Sequence, residues 1–322
     1  MILSASRRTD IPAFYSEWFF NRIRKGFLYV RNPMNHHQVS RIGLSPQIVD
    51  CIVFWTKNPK PMFGRMEELK DYMYYFQFTL TGYGKDMEAN LPDKEKVMVP
   101  VFRELASEIG KERVIWRYDP IVFSEKYSPA YHLETFERYA GLLAGYTEKC
   151  VISFVDIYAK NKKNMETSGS VEIGREELYA FAKHMADIAR RNGIAMASCA
   201  EAVDLEACGI EHNHCIDREL IERLTGYRSK AGKDKVQREA CGCIESMEIG
   251  AYNTCGNGCR YCYANFSPAS VRTNCRLYDV NSPFLCSEPA GPLDKVTRRK
   301  TVSLKGEPIN GPKQMSVFDL LY

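Results

Sequence analysis

No segment of this 322-residue sequence approaches the roughly 18–20 consecutive apolar residues that a membrane-spanning helix needs, which excludes helical membrane spans. The first residues, Met1-Ile-Leu-Ser-Ala-Ser-Arg-Arg-Thr-Asp10, reach charge before any apolar run long enough for a signal peptide. The expectation is a cytoplasmic protein with no membrane partner. Internal repeats and low-complexity tracts are missing as well. So is strong charge of either sign: 44 basic and 40 acidic side chains leave +4, too mild a balance to mark a nucleic-acid binder. What is present is 45% hydrophobic residues, enough to fill the core of one large domain or two small ones.

Cysteine, by contrast, is abundant. Twelve are many for a reducing compartment, where a disulfide framework is not expected and metal binding or catalysis becomes the leading explanation. Cys51 and Cys150 sit in apolar runs and read as small core residues. Cys199, Cys208 and Cys215 follow at moderate spacing. The other seven, Cys241, Cys243, Cys255, Cys259, Cys262, Cys275 and Cys286, crowd the last quarter. Core packing does not produce such crowding.

Short β-branched and aromatic runs alternate with helical patterns. The strand candidates are Met1–Ser6, Val49–Thr56, Tyr74–Leu80, Arg113–Tyr118, Cys150–Tyr158 and Ile194–Ala200, several of them apolar throughout, as in parallel strands buried on both faces. Helices are predicted from about Arg175 to Arg191, after Ser128-Pro129, near Phe102–Ile109 with Pro100 in the first turn, and after Asp217 as N-cap until Gly226. This alternation argues for an α/β fold of parallel βαβ units. Polar clusters follow each strand end, including Arg7, Arg8 and Asp10, Lys57, Arg117 and Asp119, and Glu201. In a (β/α) barrel such clusters share one rim, so a TIM-barrel-like (β/α) barrel is expected, partial or circularly permuted. Residues 1–226 would supply the barrel units, 227–288 a cysteine-rich segment completing it, and 289–322 an irregular tail. The basic stretch Lys295–Lys300 reads as a solvated surface run.

The central motif is Cys255-Gly-Asn-Gly-Cys-Arg-Tyr-Cys262. Three thiolates separated by three and then two residues can wrap one cuboidal cluster, and Gly256 and Gly258 permit tight, positive-φ turns that bring backbone N–H groups toward sulfur. A cubane needs one ligand per iron, so three cysteines leave one iron open to a small molecule. The alternative is a zinc ribbon that adds Cys241 or Cys243.

This loop, with Tyr261 at its aromatic position, resembles the cluster loop of radical S-adenosylmethionine (SAM) enzymes. The resemblance implies a [4Fe-4S] cluster on Cys255, Cys259 and Cys262, SAM chelated at the open iron, and Tyr261 near its adenine. It also implies an electron donor such as flavodoxin or ferredoxin. In that superfamily the loop follows the first barrel strand. Here it lies near the C-terminus, which a circular permutation would reconcile if a strand at Glu248–Asn253 lay beside Met1–Ser6. The turn at Ser4–Asp10, where those enzymes carry a glycine pair, has none. Ser6, Arg7, Thr56, Lys57 and Arg117 are the candidate cofactor contacts. Ser4–Asp10, Phe54–Pro59, Trp116–Pro120, Gln237–Cys243 and the cluster loop also resemble an uncharacterised family, domain of unknown function 1848. Thr56-Lys-Asn-Pro59 is similar to strand ends of the spore photoproduct lyase branch.

Cys199, Cys215 and the close pair Cys241-Gly-Cys243 form a second set, with Cys208 as a substitute member. Together they could make a four-thiolate site for zinc or an auxiliary iron–sulfur cluster. The His36-His37 and His212-x-His214 pairs lack a complete ligand set. The leading function is a radical SAM enzyme of unread substrate. The alternative is a non-catalytic zinc or iron–sulfur protein that binds nucleic acid through its basic tail, with a nucleic-acid repair lyase-like enzyme between the two.

Overall fold

The computed structural model describes residues 1–158, 161–199, 201, 203–238 and 241–309. The chain opens with β1 (Ile2–Ala5), α1 (Ile11–Phe14), α2 (Ser16–Lys25), β2 (Phe27–Asn32) and β3 (Asn35–Gly43). It continues through β4 (Cys51–Thr56), β5 (Tyr74–Thr79), α3 (Val99–Ile109), β6 (Val114–Ile121), α4 (Pro129–Leu143) and β7 (Lys149–Phe154). Next come α5 (Lys162–Thr167), α6 (Arg175–Arg191), β8 (Ala195–Ser198), β9 (Glu211–His212), α7 (Arg218–Thr225) and β10 (Tyr227–Ser229). The last elements are β11 (Met247–Glu248), α8 (Pro268–Cys275), β12 (Lys295–Arg298) and β13 (Lys305–Pro308).

Eight parallel strands form the main sheet in the order β11-β1-β4-β5-β6-β7-β8-β9. All six expected strands are among them. The fifth stops at Phe154, short of Tyr158, and the sixth is described to Ser198, with Ala200 outside the described residues. The seventh, expected at Glu248–Asn253, is only Met247–Glu248, and it pairs with β1 through Leu3↔Met247 and Ser4↔Glu248. Among the described residues no ladder joins β9 to β11, so the sheet is a large parallel α/β sheet without a shown closure. One backbone bond spans the gap: the Ile244 amide donates to the Ile216 carbonyl at 3.2 Å.

The expected helices form with the predicted caps. The Ser128 side chain accepts from Tyr131 and Pro129 fills the first turn of α4; Asp217 accepts from Glu219 and Leu220 at the start of α7, and Gly226 ends it at φ 72°. The structure differs in the regions read as irregular. Lys295–Arg298 is a fully exposed strand paired with β3, and Lys305–Pro308 pairs with β10. The basic run is solvated, as expected, but its backbone is paired; charged side chains on an edge strand leave no apolar alternation to read. The β2–β3 hairpin was missed for a similar reason, since Asn35–Gln38 at the start of β3 is polar and exposed. Residues 310–322 of the expected tail lie outside the described residues.

The sheet's two faces are chemically distinct. Leu3, Ile52, Phe54, Phe76, Phe78, Trp116, Tyr118 and Ile152 pack under the helices in the larger core. On the other face Ile2, Val53, Tyr75, Ile115 and Val151 meet the segment around Cys215, Ile216, Leu220 and Ile244. Because strand side chains alternate, the second face continues two residues at a time toward the C-terminal ends of the strands. There it becomes polar: Ile2-Ser4-Ser6, Val53-Trp55-Lys57, Tyr75-Gln77-Thr79, Ile115-Arg117-Asp119 and Val151-Ser153. That polar end is the site.

Candidate functional site

A cavity of about 440 Å³ opens at these strand ends, and Ser6, Arg7, Thr56, Lys57, Arg117 and Tyr261 all line it. So do both cysteine sets, Cys255, Cys259 and Cys262 with Cys199, Cys215, Cys241 and Cys243. The candidate cofactor contacts and both cysteine sets, apart from the substitute Cys208, thus meet at one place. Trp55 also lines the cavity beneath the Arg7 guanidinium, 5.1 Å from the ring centroid. Trp116 instead is core, stacked on Phe136 at 4.8 Å.

The three-cysteine loop docks on the ends of β1 and β4. Buried Asp10 accepts from Thr56 Oγ1 at 2.6 Å, the Lys57 amide at 2.7 Å and Asn257 Nδ2 at 3.0 Å. Burial raises the Asp10 pKa above the usual range, against the pull of these donors. Thr254, just before the loop, donates to Thr9 Oγ1 at 2.9 Å, and its carbonyl accepts from Tyr15. From the other side Asn90 Nδ2 donates to the Gly256 carbonyl at 2.7 Å, and the Arg260 amide to Met87 at 2.9 Å.

Gly258 has φ 69°, as the spacing suggested, while Gly256 does not. Gly256 is needed for a different reason: a Cβ there would sit 2.9 Å from the Phe14 ring. The Asn257 amide donates to the Cys255 sulfur, and the Ala264 amide to the Cys262 sulfur at 3.3 Å. Burial pushes the Cys259 thiol up to about 12, while the charge of Lys57 opposes the shift. Amide donors at Cys255 and Cys262 and the Lys57 charge near Cys259 are what stabilises bound thiolate, so the set fits an iron–sulfur cluster with three protein ligands.

Beneath the loop lies a buried ion network that the sequence reading missed. Glu88 accepts from Lys57 Nζ at 2.7 Å, from Thr81 at 3.0 Å, and from Lys94 and Tyr261. Burial would raise its pKa, but Lys57 and Lys94 hold it down to about 2. Lys57 Nζ also donates to the Tyr261 hydroxyl at 2.9 Å. Glu88 lies in a loop, outside the strand-end clusters, and nothing in its local sequence sets it apart.

The second set is brought together by three separate segments. Cys199 Sγ lies 2.9 Å from Cys215 Sγ, Cys215 contacts Cys243, and Cys243 contacts Cys241. Arg117 Nη1 donates to Cys215 Sγ at 2.9 Å while its guanidinium pairs with Asp119, and the Ile216 amide donates to Cys243 Sγ at 3.3 Å. Hydrogen bonds from Cys199 and Cys243, with Arg117 nearby, pull the Cys215 thiol well below its usual pKa despite burial. Cys208 is elsewhere, bonded to the Tyr179 carbonyl. Cys275 and Cys286, unassigned from the sequence, meet at Tyr15 behind the loop. His36 and His37 stack on each other at an exposed edge, with His37 beside Asp294, away from the cavity. His212 joins Asp204 and Glu206 in an exposed acidic group.

A sequence profile of the family described as "Domain of unknown function (DUF1848)" matches residues 2–264. The chain belongs to this family. The matched stretch contains the cavity-lining residues of both cysteine sets and ends two residues past Cys262. No curated protein matches the chain. No helix among the described residues is long and apolar enough to cross a membrane.

Proposed function

We propose that this protein is a radical SAM enzyme whose catalytic cluster is a [4Fe-4S] centre on Cys255, Cys259 and Cys262. The observation that carries the reading is that these three thiols, and no fourth from their own loop, open onto a cavity edged by polar strand ends. A reduced cluster there would supply the electron that breaks the C5′–S bond of SAM, releasing methionine and a 5′-deoxyadenosyl radical that abstracts hydrogen from substrate.

The chain's own groups divide the remaining work. The Asn257 and Ala264 amides hold the thiolates, and Asp10 fixes the loop through Asn257. Ser6, Thr56, Lys57, Arg7 and Arg117 offer hydroxyls and cations to a carboxylate, amine or ribose at the cavity wall. Tyr261 is held by Lys57 and Glu88, which sets the edge of the adenine subsite. The fold supports a permuted barrel: counted from β11, the loop-bearing strand comes first and β1, β4, β5, β6, β7 and β8 follow in order. An external reductant such as flavodoxin or ferredoxin would deliver the electron.

The test is anaerobic incubation of iron-reconstituted protein with SAM and a strong reductant. 5′-Deoxyadenosine should form, and Cys259→Ala should reduce it to background. A fully loaded cluster that yields none would reject the reading, and so would stoichiometric zinc without iron at this loop.

A further inference from the structure

The two edges of the main sheet, β9 and β11, are not joined by a ladder among the described residues. The four cysteines of the second set lie where those edges approach. Cys199 directly follows β8, Cys215 follows β9 by three residues, and Cys241 and Cys243 precede β11. We propose that Cys199, Cys215, Cys241 and Cys243 bind one zinc ion as a tetrathiolate that fastens the two sheet edges together beside the cavity.

Four observations carry this. First, the sulfurs already form a continuous chain, Cys199 to Cys215 to Cys243 to Cys241, whose first step is 2.9 Å. A tetrahedral zinc with bonds of about 2.3 Å holds all its sulfurs about 3.8 Å apart, so binding one ion draws together the non-neighbouring sulfurs of the chain, no three of which now lie mutually within 4.8 Å. Thiolates on different irons of a cubane sit on separate corners and cannot touch, which disfavours a cluster here. Second, the backbone is fixed around the site. Tyr75 and Gln77 donate to the Cys215 carbonyl at 2.7 and 2.8 Å, and the Ile244 amide reaches Ile216 at 3.2 Å.

Third, Gly242 between the paired cysteines leaves no room for a side chain, since a Cβ there would lie 1.8 Å from His214 Nδ1. That close approach packs the cysteine pair against the segment that carries Cys215. Fourth, the charges suit a doubly negative zinc tetrathiolate. Arg117 donates to Cys215 Sγ, and Arg7 has a buried guanidinium nitrogen without a hydrogen-bond partner, near Cys243 and Cys215. This inference does not depend on what the three-cysteine loop binds.

The experiment uses the full chain carrying Cys255→Ser, Cys259→Ser and Cys262→Ser together, so that only the second site remains. Grown with zinc and iron available, it should hold about one zinc per chain and no acid-labile sulfide. Cobalt(II) exchanged into it should show intense thiolate-to-cobalt absorption and the d–d bands of a tetrahedral four-thiolate ion. Adding Cys215→Ser should remove the metal. Removing zinc from the parent triple variant should also speed amide exchange in residues 211–216 and 243–248 more than in β4 to β6. Iron with stoichiometric sulfide in the triple variant overturns the proposal, as does metal-free protein with all its thiols titrating. Should the Cys215 variant fail to fold, the cobalt spectrum of the triple variant decides alone, and a spectrum of fewer than four thiolates overturns the assignment.

Discussion

The two cysteine sets share a cavity but are built in opposite ways. Cys255, Cys259 and Cys262 belong to one loop, and their spacing follows from eight consecutive residues, two of them glycine. Cys199, Cys215 and the Cys241–Cys243 pair come from three separate segments and meet only through tertiary contacts. A local loop can keep its ligand geometry when the surrounding fold loosens. A site assembled across the sheet cannot, so metal binding there would be coupled to folding. On the proposals above, the comparison separates a ligand set that would serve chemistry from one that would serve architecture.

The sharpest way to break this contrast is to remove one ligand from each set. Cys259→Ala should abolish cluster binding and 5′-deoxyadenosine formation while changing the melting temperature little. Cys215→Ser should remove zinc and lower the melting temperature, yet leave the iron content of the three-cysteine loop measurable by sulfide and iron assay. Equal effects of the two substitutions on stability would erase the distinction.

Next in size is the support beneath the loop. Glu88→Gln leaves Lys57 and Lys94 buried without their counter-ion. The expected loss, read by denaturant unfolding, is about 3–5 kcal/mol. As a control, Lys60→Ala breaks the exposed Lys60–Glu104 pair, whose side chains are half in solvent, and should cost about 0.5 kcal/mol or less.

Acid should act on the same side of the molecule. His132 is buried, with Nδ1 2.9 Å from the Tyr118 hydroxyl and Nε2 3.1 Å from the Val122 carbonyl. The rings of Tyr83, Phe123, Tyr127, Tyr131 and Phe181 surround it, none carrying a charge at acidic pH. Burial lowers its pKa from 6.5 to about 4. In the window between those values the unfolded chain binds the extra proton, so stability is present above pH 6.5 and is lost as pH falls toward 4. The loss is on the order of 3 kcal/mol, and His132→Phe should flatten that part of the stability profile. Tyr83 packs edge-on against His132 and tilted against Tyr261, so the three-cysteine side should loosen before the four-cysteine side.

Much of the fold was legible because buried parallel strands are written as apolar runs and helix ends as caps. Ser128-Pro129, Asp217 and Gly226 each do in three dimensions what their residue types imply. Elements with exposed, charged side chains were not legible, as β3 and β12 show. Within the site, Lys57, Arg117 and Asp119 could be named, and Arg117 pairs with Asp119, but Glu88, the partner of Lys57, could not. Gln77 and Ser153 follow from the two-residue alternation that also places Arg117, and applying that register to every strand would have found them. Glu88 obeys no such rule. Its role exists only because its loop folds back under the cysteines.

By itself, the sequence determined the three-cysteine loop, the strand–helix alternation and the polar strand ends that alternation implies. These depend on neighbours within a few residues, where backbone geometry and side-chain type are decisive. Only the tertiary structure decided that Glu88 joins Lys57 to Tyr261, that the strand expected beside β1 is just Met247–Glu248, and that the four grouped thiols come into contact while Cys208 does not. Each of those pairings brings together residues from segments far apart in the chain, and no local preference encodes which distant partner the collapsed sheet will supply.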